Sequence, residues 1–359
     1  MKIAVVLGTR PEIIKMAPVI RELERRKVNS FILHTGQHYS YNLDRVFFEQ
    51  LRLPPAKYNL EVGSGSHAEQ TGKILIGVEK VLLSESPDVV LLEGDTNSVL
   101  AGALAAAKLH IKVGHIEAGL RSYDRNMPEE INRLLTDHCS DYLFAPTEKA
   151  KAILRGEGIP EEKIYVTGNT IVDAVYQNLE IARERAQAIS TLGLRPKSYF
   201  LVTLHRQENV DNRARFAAII EGLGKVANEF HQPVIYPIHP RSRKMMAEFD
   251  LNPKGLTLIE PLDFLDFLQL ENSARLILTD SGGVQEESCI LGVPCVTLRD
   301  NTERPETLEV GANTLAGVSS DSILEHARLM LGRKKNWSNP FGDGTAARKI
   351  VGILGGHNG

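Results

Sequence analysis

Three acidic side chains in the first half of the chain follow short apolar runs or open a helical pattern. Asp95 comes just after Val89–Leu92, Glu117 just after Val113–Ile116, and Glu129 stands at the start of the stretch Pro128-Glu129-Glu130-Ile131-Asn132-Arg133. Carboxylates at the mouths of neighbouring strands are candidates for taking and giving protons. Each also has a plainer reading, as a helix N-cap or a first-turn helix acid. Taken singly the plainer reading stands ahead; three such residues converging on one site shift the balance toward acid/base chemistry.

A second set of residues suits an anion. Gly8-Thr9-Arg10-Pro11 follows the first apolar run and opens a helix, where backbone N–H groups and the helix dipole favour phosphate, and Arg10 and Lys15 add positive charge. This is neither a P-loop nor GxGxxG, so a strand–helix turn with surface cations reads equally well. Asp280-Ser281-Gly282-Gly283 follows Leu276–Thr279 and carries more information. The two glycines let backbone approach a diphosphate, and Ser281 can donate to it. Glu287, one turn further, suits hydroxyls of a ribose or sugar. Arg304 offers a forked donor matched to phosphate, with an ion pair to a neighbouring acid as the plainer alternative. His205, after Tyr199–Thr203, faces a phosphate or caps a strand end.

These residues need a scaffold that presents strand ends. Buried-strand candidates run Ile3–Leu7, Val28–His34, Val89–Leu92, Val113–Ile116, Tyr142–Phe144 and Ile164–Val166, then Tyr199–Thr203, Val234–Tyr236, Leu256–Ile259, Leu276–Thr279 and Cys295–Leu298. Many are continuous rather than alternating, the pattern of parallel strands covered on both faces. Helical stretches such as Pro11–Lys27, Asn97–Lys108 and Ile171–Ala188 lie between them. The alternation predicts an α/β fold of two Rossmann-like, doubly wound domains, in which ligands bind beyond the carboxyl ends of the strands. The series divides near Gly168. We expect an N-terminal domain over 1–168, a second Rossmann-like domain over 169–344, and a terminal helix, 345–359, packing back on the first.

At 359 residues the chain is long enough for two domains sharing a cleft. Its net charge of -3 and 24% charged residues give no field for nucleic acid or an anionic membrane. Three cysteines, Cys139, Cys289 and Cys295, fit a reducing compartment without a disulfide framework. CxxC and HExxH are absent, so a zinc site has little support. The opening apolar run is short for a signal peptide, and no stretch approaches the roughly 20 apolar residues of a membrane span. The expectation is a cytoplasmic protein.

Eight stretches in order resemble one family: GTRPEIIKMAP (8–18), TGQH (35–38), GDTNS (94–98), GHIEAGLRS (114–122), PEEINR (128–133), GNTIVDA (168–174), LTDSGGVQEE (278–287) and TERPE (302–306). They are similar to the non-hydrolysing UDP-N-acetylglucosamine 2-epimerases and span nearly the whole chain. The resemblance implies a GT-B type fold with UDP-sugar in the interdomain cleft, a homodimer, and no metal, nicotinamide or other cofactor. Matched motif by motif, it implies UDP contacts from Arg10, Lys15, His205, Ser281, Gly282, Gly283, Glu287 and Arg304. It implies acid/base roles for Asp95, Glu117 and Glu129, with His205 near the leaving diphosphate. It further implies a candidate regulatory site for a second UDP-N-acetylglucosamine at Gln37, His38, Arg206 and His239, whose plainer reading is strand-end capping.

The chemistry accounts for several carboxylates. C2 of the sugar is not next to a carbonyl, so its hydrogen is not acidic. Elimination of UDP to 2-acetamidoglucal, followed by re-addition, inverts C2. Loss is anti from the gluco epimer and addition is syn toward the manno epimer, which calls for proton transfer on both faces. Rival readings are a 2-epimerase of a UDP-diacetamido-uronic acid, a hydrolysing 2-epimerase, and a GT-B glycosyltransferase.

Overall fold

A computed structural model describes residues 1–37 and 41–356, with backbone alone at 41–44. Seven strands, β1 (Lys2–Leu7), β2 (Asn29–His34), β3 (Tyr58–Asn59), β4 (Val89–Glu93), β5 (Lys112–Ile116), β6 (Tyr142–Ala145) and β7 (Ile164–Val166), form one sheet in the order β3-β2-β1-β4-β5-β6-β7. Six more, β8 (Phe200–Thr203), β9 (Val234–Pro237), β10 (Leu256–Ile259), β11 (Leu276–Thr279), β12 (Cys295–Thr297) and β13 (Asn313–Leu315), form a second sheet in the order β10-β9-β8-β11-β12-β13. The strand pairs run parallel in both sheets. The chain is therefore an α/β protein with two Rossmann-like sheets, as the continuous apolar runs predict. The strands β3 and β13 escape that prediction because two or three residues, each including an asparagine, carry no periodicity.

The two sheets belong to two compact units, Met1–Gln177 with the segment from Phe341 onward, and Asn178–Pro340. The first core gathers Val6, Leu33, Val90, Leu92, Val99 and Val113; the second gathers Phe200, Val202, Leu223, Tyr236, Leu278 and Val296. Alanines 101, 103, 105 and 106 of the helix Asn97–Lys108 are all buried, so this helix lies close against its neighbours. The units divide at Gln177 rather than at 168. The first half of the helix Thr170–Arg185 is tied to the first unit. The Asp173 carboxylate accepts the N–H groups of Ala346 and Ala347 at 3.2 and 3.0 Å, and Arg21 donates to Gln177 Oε1 at 2.8 Å. The helix Ala346–Gly356 packs on the helix Arg10–Arg25.

Strand order fixes where chemistry belongs. In the first sheet the winding reverses between β1 and β4, and in the second between β8 and β11. A crevice opens beyond the carboxyl ends of such a strand pair. The residues delivered there are Gly8–Arg10 and Gly94–Asp95 in the first unit, and Leu204–Arg206 and Asp280–Gly282 in the second.

Candidate active site

The first unit assembles its part around the turn after β1. A Cβ on Gly8 would collide with the hydroxyls of Thr35 and Ser98, so this position must be glycine. The helix that follows begins with a capping arrangement in which buried Glu12 accepts the Gly8 and Thr9 N–H groups, the latter at 3.0 Å, and also the Thr96 hydroxyl. Burial pushes the Glu12 carboxyl up to about 7 against the pull of those three donors. Arg10, the first residue of the helix, lies over the Phe47 ring, its guanidinium carbon 4.8 Å from the ring centre.

Lys15 points into the acids. Its Nζ donates to both oxygens of Glu117 at 2.8 and 2.7 Å and lies 3.1 Å from Glu93 Oε1. The sequence reading places Lys15 on the diphosphate; the structure balances its charge against two carboxyls within its own unit. Glu117 also accepts Asn169 Nδ2 at 3.0 Å, which gives the GNTIVDA motif a job at the site. The backbone of Glu117 has φ +70°, a left-handed conformation that costs a glutamate of order 1–3 kcal/mol. Such strain concentrates where a side chain must be aimed.

Asp95 follows the Gly94 turn and is partly exposed. Arg133 holds its Oδ2 at 2.9 and 2.6 Å, and Asn132 Nδ2 donates to its carbonyl at 2.9 Å. Behind the turn, buried His115 spans Asp137 Oδ1 at 2.6 Å and the Gly94 carbonyl at 2.8 Å. Burial opposes charge on this ring, but the Asp137 carboxylate outweighs it and the pKa is raised. A carbonyl only accepts, so Nε2 carries a proton and the imidazole braces the loop that carries Asp95. Glu129 is half-buried in the first turn of the helix Pro128–Cys139 and makes no hydrogen bond or ion pair among the described residues. Its neighbour Glu130 is the structural acid: it accepts the Ser122 and Tyr123 N–H groups at 2.9 Å each and pairs with Arg133 at 2.8 Å. Burial alone would raise its pKa, and these donors lower it.

In the second unit buried Asp280, at the end of β11, organises the turn after β8. Its carboxylate accepts the His205 and Arg206 N–H groups and Asn209 Nδ2, and Oδ1 lies 3.1 Å from His205 Nδ1. His205 itself is half exposed. Ser281 caps the helix Gly282–Ile290, accepting the Val284 N–H at 3.5 Å, and keeps its own O–H for donation. A Cβ on Gly282 would stand 2.8 Å from Glu303 Oε1. Arg304 Nε lies 2.9 Å from Oε1 of buried Glu286, so the ion pair to a neighbouring acid is present, though inside rather than on the surface. Glu287 is half-buried and abuts Glu271, a fully buried acid of the helix Phe264–Ser273.

The candidate regulatory residues divide. Gln37 is buried, its Oε1 taken by the Ser98 N–H and hydroxyl at 3.1 and 2.7 Å. His239 caps the helix Pro240–Glu248 by accepting the Arg241 N–H at 3.2 Å; burial, with His205 and Arg241 nearby, lowers its pKa. Arg206 pairs with Glu303 at 2.9 Å. His38 lies outside the described residues. Sequence reasoning missed Glu93, Arg133, Asn169, Asp280 and Glu271 as site groups. Glu93 had a signal, since it continues the buried run of β4 where a charged residue needs a reason.

Among the described residues no cluster of three or more His, Cys, Asp or Glu is arranged to hold a metal ion, and no helix is long and apolar enough to cross a membrane. Residues 21–355 match the family model described as UDP-N-acetylglucosamine 2-epimerase. A UDP-N-acetylglucosamine 2-epimerase of Methanocaldococcus jannaschii is 58% identical over 361 residues, covering 99% of both chains. A UDP-2,3-diacetamido-2,3-dideoxy-D-glucuronate 2-epimerase of Pseudomonas aeruginosa is 42% identical, again over 99% of both. Among solved structures, the M. jannaschii enzyme in complex with UDP-GlcNAc and UDP superposes with a TM-score of 0.88 at 57% identity, and the Neisseria meningitidis enzyme bound to UDP-GlcNAc with 0.88 at 37%, each covering 99% of both chains. Two Rossmann-like units are the composition of the GT-B class. On sequence over its whole length and on fold, this chain belongs to the UDP-N-acetylglucosamine 2-epimerase family.

Proposed function

We propose that this protein interconverts UDP-N-acetylglucosamine and UDP-N-acetylmannosamine without hydrolysis, by eliminating UDP to 2-acetamidoglucal and adding it back. The observation that carries this reading is the Lys15–Glu117 pair, aimed by a strained backbone beside the switch point that also presents Asp95, in a chain 58% identical to an enzyme of that name. Glu117, Asp95 and Glu129 exchange the C2 proton. Lys15 holds and orients Glu117 through both carboxylate oxygens. The Ser281 helix N-terminus, Arg304, Arg10 and His205 take the charge of the departing diphosphate, and Glu287 holds sugar or ribose hydroxyls. The active form is a cytoplasmic homodimer.

The test is an NMR time course of UDP-N-acetylglucosamine in D2O, with chelator and without nicotinamide. The expected result is a mixture with the manno epimer, deuterium at C2, and UDP intact. Free N-acetylmannosamine accumulating one-for-one with UDP would establish hydrolysis instead. In the same assay Asp95→Asn, Glu117→Gln and Glu129→Gln each lower kcat by about a hundredfold or more while still binding UDP. A second reading, that the sugar is a diacetamido-uronic acid, is favoured by the 42% identical P. aeruginosa relative. Turnover of that nucleotide in preference to UDP-N-acetylglucosamine would select it.

A further inference from the structure

We propose that Asp137 is a positioning residue for Asp95, Glu117 and Glu129: one buried carboxylate ties together the three elements that carry these acids. This rests on the reading of the three as acid/base groups. Asp95 stands on the turn after β4, Glu117 on the loop after β5, and Glu129 in the first turn of the helix Pro128–Cys139. Asp137 belongs to that same helix, about two turns beyond Glu129. Asp137 is 0% exposed and its partner His115 1%.

The two oxygens of Asp137 serve different loops. Oδ2 accepts the Gly119 N–H at 3.2 Å and Arg121 Nη2 at 2.7 Å, both on the loop that carries Glu117. Oδ1 lies 2.6 Å from His115 Nδ1, and His115 Nε2 donates to the Gly94 carbonyl at 2.8 Å, one residue before Asp95. Each loop is also held nearer the start of the helix. Glu130 accepts the Ser122 and Tyr123 N–H groups, while Asn132 and Arg133 hold the Asp95 carbonyl and carboxylate. One anchor fixes where a loop lies; a second, at a distance, fixes which way it faces. Both loops leave their strands through positive φ, +87° at Gly94 and +70° at Glu117, so strand direction alone does not aim them. The donors on Oδ2 favour an ionised Asp137, and a carbonyl on Nε2 requires a proton there, so His115 donates from both ring nitrogens. Burial works against the Asp137 charge, but His115 and Arg121 outweigh it and its pKa is lowered. Charge-assisted bonds of this kind are stronger than neutral ones, so the frame holds while the acids exchange protons.

Position and charge can be separated at this residue. In Asp137→Asn the amide oxygen still accepts from Gly119 and Arg121, and the amide nitrogen donates to Nδ1 of a neutral His115 whose Nε2 still donates to Gly94. The kcat and KM of epimerisation, UDP affinity by calorimetry and thermal melts are measured for Asp137→Asn, Asp137→Ala, His115→Asn and Glu117→Gln. Asp137→Asn should keep kcat within about tenfold of the wild type. Asp137→Ala releases both loops and should lower kcat by about a hundredfold, with KM and the UDP dissociation constant changed less than about threefold. His115→Asn keeps a donor to Asp137 but cannot reach Gly94, so it frees only the Asp95 turn and should lose about tenfold in kcat. A folded Asp137→Ala that keeps kcat within about tenfold, or that loses UDP affinity in step with kcat, overturns the proposal. So does an Asp137→Asn as slow as Asp137→Ala. If Asp137→Ala shows no cooperative melt, His115→Asn decides: the loss in kcat with KM kept supports the proposal, and full turnover overturns it. Normal turnover by Glu117→Gln would instead remove the acid/base reading on which the proposal stands.

Discussion

Two acids in different units are each backed by a buried acid and differ in the charge nearby and in the backbone that carries them. In the first unit Glu117 is backed by buried Glu93; in the second Glu287 is backed by buried Glu271. Burial is the first cause lifting both backing carboxyls well above their ordinary range, and the neighbouring glutamate adds to it. On Glu93, however, the Lys15 ammonium pulls the other way, and the front carboxylate is held in strained backbone on a loop. On Glu271 the charge that acts is Glu287, which stands on a regular helix. The contrast separates two uses of a carboxylate. If Glu117 changes protonation during turnover, as proposed, it does so set against a cation and on a backbone of positive φ. Glu287, proposed to hold hydroxyls, is carried by helical backbone with a buried acid behind it whose pKa is raised.

The sharpest way to break this contrast is Lys15→Met. If Lys15 serves Glu117, kcat falls about a thousandfold while the UDP dissociation constant, by calorimetry, stays within about threefold. A UDP affinity weakened tenfold or more would put the ammonium on the diphosphate, as the sequence suggests, and the comparison would collapse. Arg304→Ala probes the other unit. It should weaken UDP binding by about ten- to a hundredfold, the range for hydrogen bonds to a charged group. It should also lower Tm, because buried Glu286 loses this ion pair. Adding Glu286→Gln should recover Tm without recovering UDP affinity; recovery of both would make Arg304 a purely structural partner.

The smallest effect is one of stability against pH. A buried acid whose folded pKa is raised binds more protons folded than unfolded, so its contribution is complete below the ordinary carboxylate pKa and is lost as pH rises toward the folded value. Glu271→Gln removes that titration. Thermal melts from pH 5 to 8 should show the variant gaining on the wild type as pH rises. A constant difference across the range would mean that Glu271 is ionised throughout and that the two backing acids are not alike.

Much of this was legible in the sequence because it is local. Continuous apolar runs mark parallel strands buried on both faces, and the glycine turns after Leu7 and Asp280 mark where chains bend toward a ligand. The Lys15–Glu117 pair was not legible, since 102 residues separate its members and only strand order joins them. Glu271 looks like any helix acid, and its complete burial depends on which helix lies opposite. The division at Gln177 is hidden for the same reason: Asp173 belongs with the first unit through the Ala346 and Ala347 amides, far along the chain. Local pattern names the groups, and topology decides which of them meet.

That Asp173 contact also sets an order of assembly. A ribosome finishes every residue of the second unit before it reaches Ala346, so the second sheet can mature while the first still lacks its closing helix. Until then Asp173 has no amides to accept, and the groove along Arg10–Arg25 lies open. Turns synthesised after the second unit thus complete the first. A chain stopped at Pro340 would hold a finished second unit beside an unsealed first one.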